Sequence, residues 1–158
     1  MRMLLSELVS KAGEPIIVMY DGKQAALSER FKLVGLTPCT VQLRSARDRS
    51  DLFEAFRVGM RMPYTEIRNW DAFADTLTDL AWLDHGSFNF IIEGAESFFR
   101  RDPNTFRLML NMVRTAGLAW SRPISEGQAW DRGPIPFHIY LDGQTGRHFP
   151  VRYPRVTG

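Results

Sequence analysis

Four short strand-like segments decide the class of this fold. They are PIIVMY (15–20), CTVQLRS (39–45), SFNFIIEG (87–94) and PFHIYLDG (136–143). Each is rich in β-branched or aromatic residues and is bounded by turn residues, the pattern of a strand. No two are close enough for a tight hairpin, and every gap is long enough for the crossover that parallel strands need. The segments between them carry helical spacing. The expected fold is therefore α/β: a small, mostly parallel sheet with packed helices.

The helices announce themselves through caps and stripes. Residues 23–34 read as a helix with an imperfect apolar face (Ala25, Ala26, Leu27, Phe31, Val34), stopped by Gly35. Next comes a helix capped by Asp48 or Ser50, with Leu52, Phe53, Phe56 and Met60 as its buried stripe and Pro63 beyond its end. Asp102 followed by Pro103 starts a third, with Phe106, Met109, Leu110 and Val113 at helical spacing and Gly117 as its expected stop. Residues 121–134 read as a loop punctuated by glycine and proline. The tail 143–158, with its prolines and glycines, reads as loosely ordered or draped over the surface.

The length suits one domain with a real core, and 44% apolar residues favour a globular chain over a disordered one. The balance of 20 basic and 18 acidic residues points to neither nucleic acid nor a membrane as partner. Cys39 stands alone, so neither an internal disulfide nor a cysteine metal motif is available. With no clean signal core and no run of membrane-spanning length, the expectation is a cytoplasmic protein without a cofactor.

One helix stands out chemically. In NWDAFADTLTDLAWLD (69–84), Asn69 is the expected N-cap, and Asp71, Asp75 and Asp79 follow four residues apart. A helix turns about 100° per residue, so such positions lie only about 40° apart around the axis. Trp70, Phe73, Leu77, Leu80 and Ala81 fall on roughly the opposite side. Like charges at this spacing cost about 0.2–0.5 kcal/mol per pair. Asp71 gains from the positive end of the helix, but Asp79 lies too far along to do so. On pattern alone, a solvated face, a surface for a cationic partner and a metal site all remain open.

The stretch MPYTEIRNWDAFADTLTDLAWL resembles the central signature of the barstar family of ribonuclease inhibitors: a proline, a loop, then NWDAFADTL. The flanking segments VQLRSARDRSDLFEAF, FNFIIEGAESF, FRLMLNMVRTA and PFHIYL resemble the family's other elements in order. The resemblance covers roughly residues 39–142. It leaves residues 1–38 as an added N-terminal strand–helix unit and 143–158 as an added tail. It implies a barstar-like fold without enzymatic activity, and a partner that is a basic ribonuclease or a ribonuclease toxin domain. In the latter case this chain would be the immunity protein of a toxin–antitoxin pair. It implies further that the acidic helix and the preceding loop enter the nuclease active site in place of RNA phosphates. Asp71 and Asp75 match two acidic contact positions of the family, with Tyr64, Thr65, Glu66, Asn69 and Asp79 around them. The sequence departs from the family at Thr65, Glu66 and Ile67, where an aromatic and a glycine are usual. It departs again at Asp79, which replaces a glycine, and at Thr115, which replaces an acidic contact.

Two other functions compete with this one. Asp71 and Asp75 four apart suit a Mg²⁺-dependent phosphate enzyme, although further ligands and a phosphate cradle are missing from the sequence. Direct RNA binding would need a contiguous basic face with exposed rings. The clusters RSARDR and FFRRD instead mix in acids and read as ordinary surface. Trp70, Trp82 and Trp120 read as core, while Trp130 is either a surface contact or a cover for the sheet edge. His85, His138 and His148 lack ligand spacing. Cys39 reads as buried rather than nucleophilic, since no histidine or aspartate accompanies it.

Overall fold

The computed structural model describes residues 2–20, 24–63, 66–83, 86–143, 149 and 153–157. In chain order the elements are β1 (Arg2–Leu4), α1 (Leu5–Ser10), β2 (Ile16–Tyr20), α2 (Gln24–Leu33), β3 (Cys39–Gln42) and α3 (Arg49–Gly59). They continue with α4 (Trp70–Asp79), β4 (Phe88–Glu93), α5 (Ala95–Arg101), α6 (Pro103–Trp120), β5 (Phe137–Asp142) and β6 (Arg155–Thr157). The six strands form one sheet in the order β1-β6-β2-β5-β4-β3, and every pairing is parallel. The α/β expectation holds.

The sheet is covered on both faces. Alternation along a strand sends Phe90, Ile92, Ile139 and Leu141 to one face, where they pack with Phe56 of α3, Phe73 of α4, Phe98 of α5 and Phe106 of α6. Ile91, Tyr140 and Val18 point the other way, against Leu5 and Leu8 of α1 and Leu27 and Phe31 of α2. β4 and β5 are therefore buried on both faces along almost their whole length, which explains their continuous apolar sequence.

The N-terminal extension is larger than the single strand–helix unit expected. It forms two such units, β1–α1 and β2–α2, and β2 pairs with β5 in the middle of the sheet. The first strand is only three residues long and runs straight into α1, so no turn residue marks it. His138 on β5 ties the extension down. Its Nδ1 accepts from the Ile16 backbone N–H at 3.1 Å, and its Nε2 lies 2.9 Å from the Lys11 carbonyl. This pairing selects the neutral tautomer with its proton on Nε2.

Three expectations need correction. The tail does not merely drape: Arg155–Thr157 enters the sheet as β6, between β1 and β2. Short and isolated in sequence, it gains its partners only from long-range pairing. Gly117 does not end α6, which continues to Trp120. A Cβ there would lie 2.4 Å from Pro15 Cγ and 2.8 Å from Phe137 Cδ1, so the glycine allows close packing rather than a stop. Val34, placed on the apolar face of α2, is exposed, because the helix has already ended and Gly35 (φ 75°) turns the chain away. α5, which sequence reading did not separate from its neighbours, starts at Gly94. Glycine offers no capping side chain, so the Asp142 carboxylate accepts from the Gly94 and Ala95 N–H groups at 2.7 and 2.8 Å.

Candidate functional site

The acidic helix begins as its sequence directs. Asn69 is extended, and its Oδ1 accepts from the Ala72 N–H at 2.8 Å. Trp70 is half-buried against Phe53 (ring centroids 4.9 Å apart) and Phe73 (5.5 Å), which fixes the first turn against α3. Phe73 and Leu77 are fully buried. Asp71, Asp75 and Asp79 point to solvent. Among the described residues, no lysine or arginine pairs with any of the three. The stripe is thus a row of free carboxylates on the side of α4 away from the core.

The far end of α4 differs from expectation. The helix stops at Asp79, and Leu80 adopts a left-handed conformation (φ 44°) with its side chain fully buried. Ala81, read as part of the apolar stripe, is consequently exposed. Stopping here leaves the last carbonyls of the helix without intrahelical donors. The Trp120 indole N–H supplies one, donating to the Leu77 carbonyl at 2.9 Å. The Trp82 indole does the same for the end of α3, donating to the Met60 carbonyl at 2.9 Å. Sequence reading placed both tryptophans in the core but missed these bonds. The available signal was a tryptophan within reach of a helix end, whose N–H needs a partner when buried.

The loop leading into α4 is held by Ile67, which is buried, and carries an ion pair between Arg68 Nε and Glu66 Oε1 at 2.7 Å. Glu66 therefore presents its charge with a cation attached, unlike the aspartates. Tyr64 and Thr65 lie outside the described residues, as do Asp84, His85 and His148. Thr115 is exposed on α6, and its hydroxyl donates back to the Asn111 carbonyl at 2.8 Å. Trp130 is 62% exposed and donates to Glu126, so it covers no sheet edge. Arg44, Arg47 and Arg101 of the two basic clusters are partnered within the fold. Arg47 pairs with Asp51, and Arg101 donates to the carbonyls of Leu43 and Arg44. Among the described residues, no group of three His, Cys, Asp or Glu side chains is placed to hold a metal ion. Nor is any described helix long and apolar enough to cross a membrane.

The family model for Barstar (barnase inhibitor) matches residues 36–142. This chain belongs to the Barstar family. The matched span contributes β3, β4 and β5 with α3 to α6, and so includes the whole of the acidic helix. What lies outside the Barstar span is the second helical layer with the three strands β1, β2 and β6. No curated protein and no solved structure matches the chain.

Proposed function

We propose that this chain inhibits a basic ribonuclease by placing the exposed face of α4 in its active site. Asp71 and Asp75 are the central contacts, with Asp79, Asn69, Glu66, Thr65 and Tyr64 around them. The observation that carries this reading is the row of free carboxylates on a helix anchored at both ends. A ribonuclease gathers arginine, lysine and histidine around the scissile phosphate. Carboxylates on a rigid support meet such groups with charge-assisted bonds, bidentate where arginine is involved. Rigidity matters because little side-chain and backbone freedom is then lost on binding. Local opposite charge also steers the encounter, even though the chain as a whole is slightly basic. A ribonuclease toxin of the same cell is a target of this class, with this chain as its immunity protein inside the cytoplasm.

The test is inhibition of RNA cleavage. Basic ribonucleases from the source cell are assayed with the wild-type chain and with an Asp71→Ala/Asp75→Ala variant. Wild type should suppress cleavage at stoichiometric concentration, and the double variant should need at least a hundredfold more. Equal inhibition by both chains moves the interface elsewhere and overturns the assignment.

A further inference from the structure

We infer that a pocket at the amino ends of β3 and β4 binds a small organic oxyanion, a carboxylate or phosphate monoester, and thereby braces both ends of the segment carrying α4. The pocket encloses about 220 Å³ and is lined by Leu36, Thr37, Cys39, Arg61, Leu83 and Ser87, with Phe88 and Asn89 behind them. Among the described residues, no carboxylate lines it. The volume exceeds that of an oxyanion alone, and the Leu36, Leu83 and Phe88 side chains provide an apolar wall for a small attached body.

Arg61 carries the argument. The chain leaves α3 through a Schellman turn: Arg61 N–H donates to the Val58 carbonyl and Met62 N–H to the Arg57 carbonyl, both at 3.0 Å. Arg61 occupies the left-handed position of that turn (φ 52°), where glycine or asparagine is the usual choice. Leu80 is also left-handed, but its side chain fills the core. Arg61 has no such reason, because it is exposed. Its guanidinium makes one long bond to the Pro38 carbonyl (3.5 Å) and lies beside the Cys39 thiol, and among the described residues it has no carboxylate partner. The side chain is held at a strained position and lines the pocket.

The remaining polar groups are donors. Ser87 Oγ accepts from Asn89 Nδ2 at 2.8 Å, which leaves its own proton to give. The Asn89 amide is oriented in turn, because its Oδ1 accepts from the Tyr140 hydroxyl at 2.9 Å. Thr37 adds a second hydroxyl. Burial pushes the Cys39 thiol up to about 11, so it remains neutral and adds no negative charge. One cation and two hydroxyls form a site for an oxyanion.

The position gives the site a consequence. Arg61 begins the connection into α4, and Leu83, whose N–H donates to the Leu80 carbonyl at 3.0 Å, closes the turn that follows α4. A ligand touching both couples the pocket to the helix bearing the aspartates. This regulatory consequence rests on the inhibitor reading, whereas ligand binding itself does not.

The experiment is an amide NMR titration of the full chain with inorganic phosphate, phenyl phosphate and benzoate at fixed ionic strength. The chains compared are wild type, Arg61→Asn and Asp71→Ala/Asp75→Ala. Asparagine tolerates the left-handed turn, so the first variant removes the cation without new strain. Saturable shifts at Leu36, Arg61 and Gly86–Phe88 support the site if Arg61→Asn weakens them at least tenfold and the aspartate variant binds like wild type. Phenyl phosphate or benzoate binding more tightly than phosphate identifies an organic ligand. No saturable shift with any probe, or equal binding by Arg61→Asn, overturns the site whatever the nuclease assay shows.

Discussion

The indole N–H of Trp120 on the last long helix donates to the backbone carbonyl of Leu77 on the acidic helix, across 2.9 Å of buried space. That bond joins α6 to α4 where α4 unwinds into Leu80. Trp120 is itself held by Phe88 (4.8 Å) and by the Arg132 guanidinium stacked on its ring at 4.5 Å. The support of the candidate binding face thus depends on a residue far from it in sequence.

Trp120→Phe keeps the ring and removes the donor. The Leu77 carbonyl is then buried without a partner, which costs about 1–3 kcal/mol. Denaturant unfolding should show a loss in this range. Amides of Thr78 and Asp79 should exchange faster than in the wild type while those of Phe73 and Ala74 stay unchanged, because the damage is at the C-terminal end of α4. Equal acceleration at Phe73 and at Asp79 would contradict this.

Asp75→Ala should separate stability from binding. Asp75 lies between two like charges at helical spacing, so its removal relieves two repulsions and inserts a better helix former. The expected outcome is a gain of about 0.5–1 kcal/mol in thermal or chemical unfolding, with loss of nuclease inhibition. A loss of stability would mean that Asp75 supports the fold, against its present exposure.

His138 makes the fold acid-sensitive. Burial holds its imidazole below the ordinary value of 6.5, and protonation would also place a proton against the Ile16 N–H. Lys11, the charged residue facing it, acts in the same direction. The unfolded chain therefore takes up this proton first as pH falls. The contribution of neutral His138 is complete above pH 6.5 and is lost as pH drops from there towards the lower folded value. Melting temperature should fall across that window, and NMR should show the Nε2-protonated neutral ring persisting below pH 6.5 in the folded chain. A ring already charged at that pH would refute the assignment.

Gly117→Ala would stabilise an exposed helix by about 1 kcal/mol. Here the added methyl meets the rigid ring of Pro15 and the edge of Phe137, so the net effect should be a loss of about 1–3 kcal/mol. Calorimetry reads it directly. Because Pro15 belongs to the extension, the loss should be accompanied by faster exchange in β2.

Four strands, the caps of α3, α4 and α6, and the acidic stripe were all legible in the sequence. Each is a local matter: a side chain three residues from an N–H, or apolar residues repeating at the period of a helix or strand. The Asn69 and Asp102 caps formed where the sequence put them, and of the two candidates for α3 the cap is Asp48, with Ser50 inside the helix. The family-like segment was legible for the same reason, since its elements follow one another in order. Tertiary structure decided the rest. β6 is three residues that become a strand only because β1 and β2 offer their edges. α4 ends at Leu80 because the core takes that side chain, although nothing in DLAWL marks a stop. Gly117 looks like punctuation until Pro15 arrives from a hundred residues away. Arg61 looks like surface until the turn places it over a pocket. Periodicity and caps are written in neighbouring residues, whereas close approach, strand insertion and strained turns are set by groups that meet only once the chain has folded.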